Sequence, residues 1–598
     1  VRLLDIAEQS LMSVYYVGIA SSFHDPSISI VGPDGSILLA ESTERPLQYK
    51  RAIGCPADLY VWFQKYIETY CEKDAEIVLA NGWSQRYQRL NKLSGLLGRR
   101  SRRSIEMSTG RLQKTLLKDY VSAWLSRSQY KAVDQFGDNA VFTFKRDFGK
   151  NIRDFRHFDH HLSHAAMACW GSGYDEATCM VVDGYGEVGS IRYFDYADGE
   201  VDPLDEQRGA ESLGLFYSWW ATVLCGFDPL RGEEWKVMGL APYGKVIDEV
   251  YGLLQTVLKI DGLHLRYASM DHLNEVLAKL EKFALLPGSP PMDAADLART
   301  FQEIYSEWMT ELLQNLADRT KSRNLVLCGG CGLNSAFNGR IVPETSFESL
   351  YVPSAPGDDG VSVGAALLAY REDHPDWKPA KEMQTPYLGS RVSTSTLEQL
   401  ETLAQVPNCV KLTDSIFEVT ARLLSEGLLV GWCRGRAEFG PRALGNRSIL
   451  ADPRKAEMKE KINAMVKFRE AYRPFAPSVL TEHAEAYFEH YQESPYMEKT
   501  LKVRPGMRDG IAGVVHVDGT ARLQTVRKDW NPDYYRLIEA FHQLTEVPIL
   551  LNTSFNIMGK PIIHSVEDAL GMFYTTGLDV LVIEDYLITK QPVSWLNP

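Results

Sequence analysis

Regular structure opens with a β-rich run, Val14–Ala20 (VYYVGIA), closed by a polar loop, Ser21–Pro26. Ser27–Val31 then alternates, with Ile28 and Ile30 on one face. Gly32-Pro33-Asp34-Gly35 is a tight-turn signal, and Ser36–Ala40 resumes as a third strand. The same pattern returns later. Thr178–Val182 (TCMVV) is almost wholly apolar, as a central strand should be. Asp183-Gly184-Tyr185-Gly186 is its loop, Ser190–Phe194 the next strand, and Ala197-Asp198-Gly199 the turn. A meander with a polar loop after its first strand therefore occurs twice. Two such halves facing each other form a cleft that can hold a nucleotide.

A third glycine loop follows Asn324–Cys328: Gly329, Gly330 and Gly332, then Asn334 to Asn338. A strand, a glycine turn and a helix start bring backbone N–H groups close to an anion. The segment from His374 to Ser393 carries three prolines and little periodicity, so it reads as an interdomain linker. The predicted organisation is an extension at 1–13, a first domain at 14–373, the linker at 374–393 and a second domain at 394–598. Leu397–Ala404 and Ser415–Glu426 read as helices and Leu428–Cys433 as a strand.

A length of 598 residues requires at least two domains, and a 45% hydrophobic content supplies their cores. No stretch is apolar enough to span a membrane, and residues 1–13 lack the pattern of a secretory signal. Nine scattered cysteines fit a reduced cytosol. A net charge of −14 speaks against a general nucleic-acid binder and suits a cationic small substrate. Against that background, residues 86–131 hold twelve Lys/Arg and two Asp/Glu, a basic insertion whose plainest reading is a solvated helical segment.

Two constellations carry chemistry. His160 and His164, in DHHLSHAAMA, share one face of a helix at the spacing of two metal ligands. Asp183 follows a core strand, and Asp358 and Asp359 lie in a second loop (APGDDGVSVG). Imidazoles plus carboxylates suit Fe(II), Zn or Mn. Further on, arginines 434, 436, 442, 447, 454 and 473 crowd an apolar, turn-rich region, joined by Lys467 and Arg469. Semi-buried guanidinium groups at that density call for an anion. The loop Leu551–Asn556 adds small polar donors.

HHLSHAA, VVDGYGE, KVMGLAPYG, GGCGLNSAFNG, EFGPRALGNRSIL, YRPFAPS and LNTSFN together resemble the nodulation- and antibiotic-type O-carbamoyltransferases, tobramycin-type enzymes included, over nearly the whole chain. The resemblance implies an α/β fold in two parts. The first is a duplicated actin/sugar-kinase (ribonuclease-H-like) domain similar to the tRNA threonylcarbamoyl transferase, and the second is a YrdC-like domain. It implies two reactions: carbamoyl-adenylate is formed from carbamoyl phosphate and ATP, then the carbamoyl group passes to a hydroxyl. The implied metal ligands are His160, His164, Asp183 and Asp359, with Fe(II) first and Zn or Mn as alternatives, and Mg accompanies ATP. His24 is the implied base. Arg442, Lys467, Arg473, Ser554 and Asn556 would hold carbamoyl phosphate and the adenylate, and Gly184, Lys236, Gly330, Asn334 and Asn338 the nucleotide.

Tobramycin-type enzymes show no counterpart of the basic insertion. The chain looks closer to cyanobacterial saxitoxin-type carbamoyltransferases, whose acceptor is a cationic guanidinium alcohol. The expected partners are thus carbamoyl phosphate, ATP and a small-molecule alcohol in the cytoplasm, with neither nucleic acid nor membrane. The oligomeric state is left open, a homodimer included. Three rivals stay in view: an aminoglycoside or other sugar as acceptor, a fused tRNA threonylcarbamoylation enzyme, and an actin-like ATP-binding scaffold. A hydrogenase-maturation carbamoyltransferase would carry paired CxxC motifs, whereas one CxxC, Cys328 to Cys331, is present.

Overall fold

The computed structural model describes residues 12–87, 89, 131, 135–143, 146, 152–404 and 406–596. Most of the N-terminal extension and most of the basic insertion lie outside the described residues.

The first sheet contains β1 (Val14–Ala20), β2 (Ser27–Val31), β3 (Ile37–Ser42), β4 (Glu76–Asn81) and β5 (Ile152–His157), in the order β3-β2-β1-β4-β5. The second contains β6 (Glu176–Val182), β7 (Ile191–Ala197) and β8 (Glu200–Gln207). After a hairpin of β9 (Leu258–Asp261) and β10 (His264–Tyr267), the second sheet gains β11 (Asn324–Cys328) and β12 (Ser349–Tyr351). Its order is β12-β11-β6-β7-β8. The two sheets share one topology: an antiparallel meander whose first strand pairs in parallel with a fourth strand, which pairs in parallel with a fifth. The duplication expected from the two meanders is present, and the loops after β1 and β6 occupy equivalent positions.

Two small-residue helices lie between the sheets. The His160–Trp170 helix follows the first sheet yet packs on β6 and β11 of the second. The Val361–Asp373 helix follows the second sheet yet packs on β1, β2 and β4. Glycine makes this crossing feasible. A Cβ on Gly18 would meet the Ser362 carbonyl at 1.9 Å, and one on Gly364 would meet the Ser163 carbonyl at 1.8 Å. The shared core runs through both sheets, from Tyr16 and Val78 to Cys179 and Val326.

Residues 374–393 form no helix or strand. They hydrogen-bond in both directions: Ala40 N donates to Leu388 O at 2.9 Å, and Gly389 N to Ala437 O at 2.8 Å. Beyond them stands a nine-stranded mixed sheet: β13 (Cys409–Lys411), β14 (Val430–Cys433), β15 (Arg447–Ala451), β16 (Ala476–Leu480), β17 (Lys499–Lys502), β18 (Thr520–Val526), β19 (Ile549–Ser554), β20 (Val580–Ile583) and β21 (Tyr586–Thr589). Its order is β13-β21-β20-β14-β15-β19-β16-β18-β17. The helices expected near 397–404 and 415–426 run Thr394–Thr402 and Ile416–Ser425. Among the described residues no helix is long and apolar enough to cross a membrane.

Candidate active site

Asp159 caps the His160–Trp170 helix by accepting from Leu162 N at 2.9 Å. The cap starts the helix at His160, so His160 and His164 project from successive turns into the gap between the sheets. There they meet Asp183, at the end of β6, and Asp358, in a 3₁₀ turn. Their four ligand atoms all lie within 4.8 Å of one another. His160 Nε2 is 3.4 Å from Asp183 Oδ2 and 3.7 Å from Asp358 Oδ1, and His164 Nε2 is 3.7 Å from both.

The donor set fits a divalent cation. Two carboxylates converge in a buried space, and the buried His164 Nε2 has no hydrogen-bond partner. Burial pushes the His160 imidazole down, but hydrogen bonds and charge from Asp183 and Asp358 outweigh it and raise it to about 10. Such a pull on a proton is the pull the site would exert on a metal ion. Asp183 is itself held in place: its Oδ1 accepts from Gly184 N at 2.8 Å and Gly330 N at 3.2 Å, leaving Oδ2 for the histidines. The N–H groups of Gly184 and Gly330, expected to face a nucleotide, are thus given to Asp183. The Trp83 indole stacks on the His160 ring at 4.0 Å.

Asp358, and not the expected Asp359, joins this cluster. The Asp359 carboxylate turns to the other side, where Ser42 Oγ donates to it at 3.4 Å. Burial, then the charges of Asp25, Glu44 and Asp358, push it up to about 7. Asp358 also links the cluster to His24, whose Nδ1 lies 3.9 Å from Asp358 Oδ2 and 3.0 Å from Asp25 Oδ2. Burial and the Arg51 guanidinium push the His24 imidazole down, and the two carboxylates outweigh both and leave it raised.

A second cluster belongs to the other half. Lys467, buried, donates to Ser554 O, to Ser554 Oγ at 3.1 Å and to Asn556 Oδ1 at 2.7 Å. Burial and its cationic neighbours Arg469, Arg473 and Lys50 push its ammonium well below the ordinary lysine value. Arg442 reaches one carbonyl, Leu333 O, at 3.4 Å, and burial lowers it to about 10. Arg469 donates Nε to Asn463 Oδ1 at 2.7 Å but keeps a buried Nη2 without a partner. Arg522, from β18, was not singled out in the sequence. Burial and three neighbours, Arg442, Arg469 and Arg473, push it well down. Among the described residues only Arg473 of this group has an ion pair, with Glu470 at 3.8 Å, so the crowded cations are a donor set that fits an anion.

The six arginines of the sequence pattern divide accordingly. Arg442 and Arg473 line the cavity. Arg434 is tied to Asp533 and Asp585, and Arg454 to Asp452. Arg436 and Arg447 donate to backbone carbonyls, such as Gly389 O and Gly435 O. Lys236 pairs with Glu233 at 2.8 Å and with Glu470 at 3.3 Å. Asn334 caps the Ser335–Glu344 helix and lines the cavity. Asn338, fully buried, donates to Gly332 O and across the junction to Glu498 O.

One cavity of about 1600 Å³ runs between the two clusters. His24, Asp183 and Asp358 line it, as do Arg442, Arg469, Arg473, Arg522, Ser554 and Asn556. His24 and the carboxylates of the histidine–aspartate cluster therefore share continuous space with the arginine cluster.

Comparison with known proteins now assigns the chain. The family described as carbamoyltransferase N-terminus matches residues 15–367, and carbamoyltransferase C-terminus matches 421–590. The chain belongs to the carbamoyltransferase family and is a carbamoyltransferase. It is 37% identical to nodulation protein NolNO of Sinorhizobium fredii, over 75% of this chain and 66% of that protein. It is 36% identical to NolO of Bradyrhizobium diazoefficiens, over 73% and 79%. It is 30% identical to the 3'-hydroxymethylcephem-O-carbamoyltransferase of Amycolatopsis lactamdurans, over 75% and 83%.

Proposed function

We propose that the protein is an ATP-dependent O-carbamoyltransferase in which the second half forms carbamoyl-adenylate and the first half passes the carbamoyl group to a small-molecule alcohol. The observation that carries this reading is the single cavity lined by both the arginine cluster and the histidine–carboxylate cluster. On this reading the first half is an actin/sugar-kinase-like domain and the second is YrdC-like.

In the second half, water cleaves carbamoyl phosphate to carbamate and phosphate, and a carbamate oxygen attacks the α-phosphorus of ATP as pyrophosphate leaves, with Mg accompanying the nucleotide. Arg442, Lys467, Arg473 and Arg522 hold the phosphates and neutralise charge on the transferring phosphorus. Ser554 and Asn556 orient the Lys467 ammonium. The adenylate then crosses the cavity. A divalent cation held by His160, His164, Asp183 and Asp358 would polarise the carbamoyl carbonyl and neutralise the adenylate phosphate. His24, oriented by Asp25, takes the acceptor's hydroxyl proton while the new carbon–oxygen bond forms and AMP departs.

The acceptor is a small alcohol. The net charge of −14 favours a cationic one, of which a saxitoxin-type guanidinium alcohol is an example. The test is a panel of cationic and neutral alcohols given with ATP and carbamoyl phosphate, read by mass. A carbamoyl gain that requires ATP supports the reading; an equal gain without ATP overturns it.

A further inference from the structure

We propose that Trp235, supplied by the first half, is a positioning residue that aims Arg473 of the second half and so completes the anion site across the junction. This rests on the reading of Arg473 as an anion ligand. The Arg473 guanidinium lies over the Trp235 ring, 3.8 Å from its centroid. Its nearest carboxylate, on Glu470, is 3.8 Å away, beyond hydrogen-bond reach. Both Trp235 and Arg473 line the cavity. A guanidinium stacked on an indole is gripped by its face, while its N–H donors point outward in the plane. Stacking therefore fixes the direction of the fork without consuming the donors a phosphate needs.

The tied arginines show the contrast. Arg434 also lies over a ring, Phe417 at 5.1 Å, but its Nε and Nη1 are held by Asp533, Asp585 and Glu584 O, which gives it structural work. Arg473 has the Trp235 platform and, among the described residues, no side-chain hydrogen bond beside its 3.8 Å ion pair with Glu470.

Trp235 is itself held firmly. It sits on the Glu234–Leu240 helix, whose Val237 and Leu240 are buried. Glu234 accepts from Ser218 Oγ at 2.8 Å, and Lys236 bridges Glu233 to Glu470. The Lys236 contact crosses the junction to Glu470 Oε1, on the carboxylate whose Oε2 is 3.8 Å from Arg473. Trp235 falls in the stretch matched by the N-terminal family description and Arg473 in that matched by the C-terminal one. The second half therefore borrows part of its anion site.

The experiment measures KM and kcat for carbamoyl phosphate in carbamoyl-phosphate-dependent pyrophosphate–ATP exchange, on full-length chains. Trp235→Leu should raise KM about 3- to 30-fold, the range of a stacked cation losing its aromatic face, with a smaller change in kcat. Trp235→Phe should retain most of the wild-type affinity. In an Arg473→Ala background, Trp235→Leu should add nothing, because there is no guanidinium left to aim. Fully additive effects of the two substitutions, or an unchanged KM in Trp235→Leu, would overturn the inference. If Trp235→Leu does not fold, Trp235→Met fills similar space without a π face and takes its place. Wild-type behaviour of Arg473→Ala alone would refute the anion-ligand reading itself, an outcome separate from the failure of Trp235.

Discussion

Asp358 and Asp359 are adjacent in sequence, yet only Asp358 faces the histidines, so paired substitutions to asparagine test the metal site at single-residue resolution. The four ligand atoms lie within 4.8 Å of one another, so an ion bound among them sits within about 4 Å of each. A unit charge pair at ~4 Å and an effective dielectric near ~20 is worth about 4 kcal/mol. At ~1.4 kcal/mol per tenfold, Asp358→Asn should weaken Zn(II) or Mn(II) binding by roughly two to three orders of magnitude. Asp359→Asn should lose clearly less, because its carboxylate lies outside the four-ligand cluster, accepts from Ser42 and, pushed up to about 7, carries only part of a charge near neutral pH. The assay is competition against a chelator of known affinity, with circular dichroism confirming that both variants are folded. Equal losses in the two variants, or a larger loss in Asp359→Asn, would refute the placement.

Lys467→Met should abolish carbamoyl-phosphate-dependent pyrophosphate release and leave metal affinity unchanged; concurrent metal loss measured on the same sample would contradict the separation of the two clusters. The His24 imidazole is raised, and a base must be unprotonated, so the transfer step should speed up as pH rises through a value above the ordinary ~6.5. In His24→Gln that rise should vanish while adenylate formation persists, and a pH profile of transfer unchanged from wild type would remove His24 from the mechanism. Gly364→Ala should separate the two central helices, since its Cβ would meet Ser163 O at 1.8 Å, and should destabilise the fold by at least about 1–3 kcal/mol. Thermal unfolding checks this, and a wild-type Tm would show that the helices can part at no cost.

How much was legible in the sequence follows from how local each signal is. The meanders were readable because strand alternation and turn residues act over a few positions, and both recur in the observed sheets. The i,i+4 histidines were readable for the same reason. The choice between Asp358 and Asp359 was not, since successive residues of a 3₁₀ turn point in different directions, Asp358 to the histidines and Asp359 to Ser42. Arginine density marked the right region but could not separate Arg442 and Arg473 from Arg434. The carboxylates that tie Arg434, at 533 and 585, lie about a hundred residues or more downstream. Arg522 left one local trace: a charged residue inside the mostly buried strand Thr520–Val526. Trp235 left none, because its stacking on Arg473 exists only once the two halves meet.

The central claim is that activation and transfer are separate reactions joined by one cavity. It is tested most directly by adding radiolabelled pyrophosphate to the enzyme with ATP, with and without carbamoyl phosphate, and with no alcohol present. The account predicts that label enters ATP only when carbamoyl phosphate is supplied, and that the exchange survives His24→Gln but not Lys467→Met. Carbamoylated alcohol formed at full rate without ATP, or with ADP in place of AMP and pyrophosphate, would contradict it.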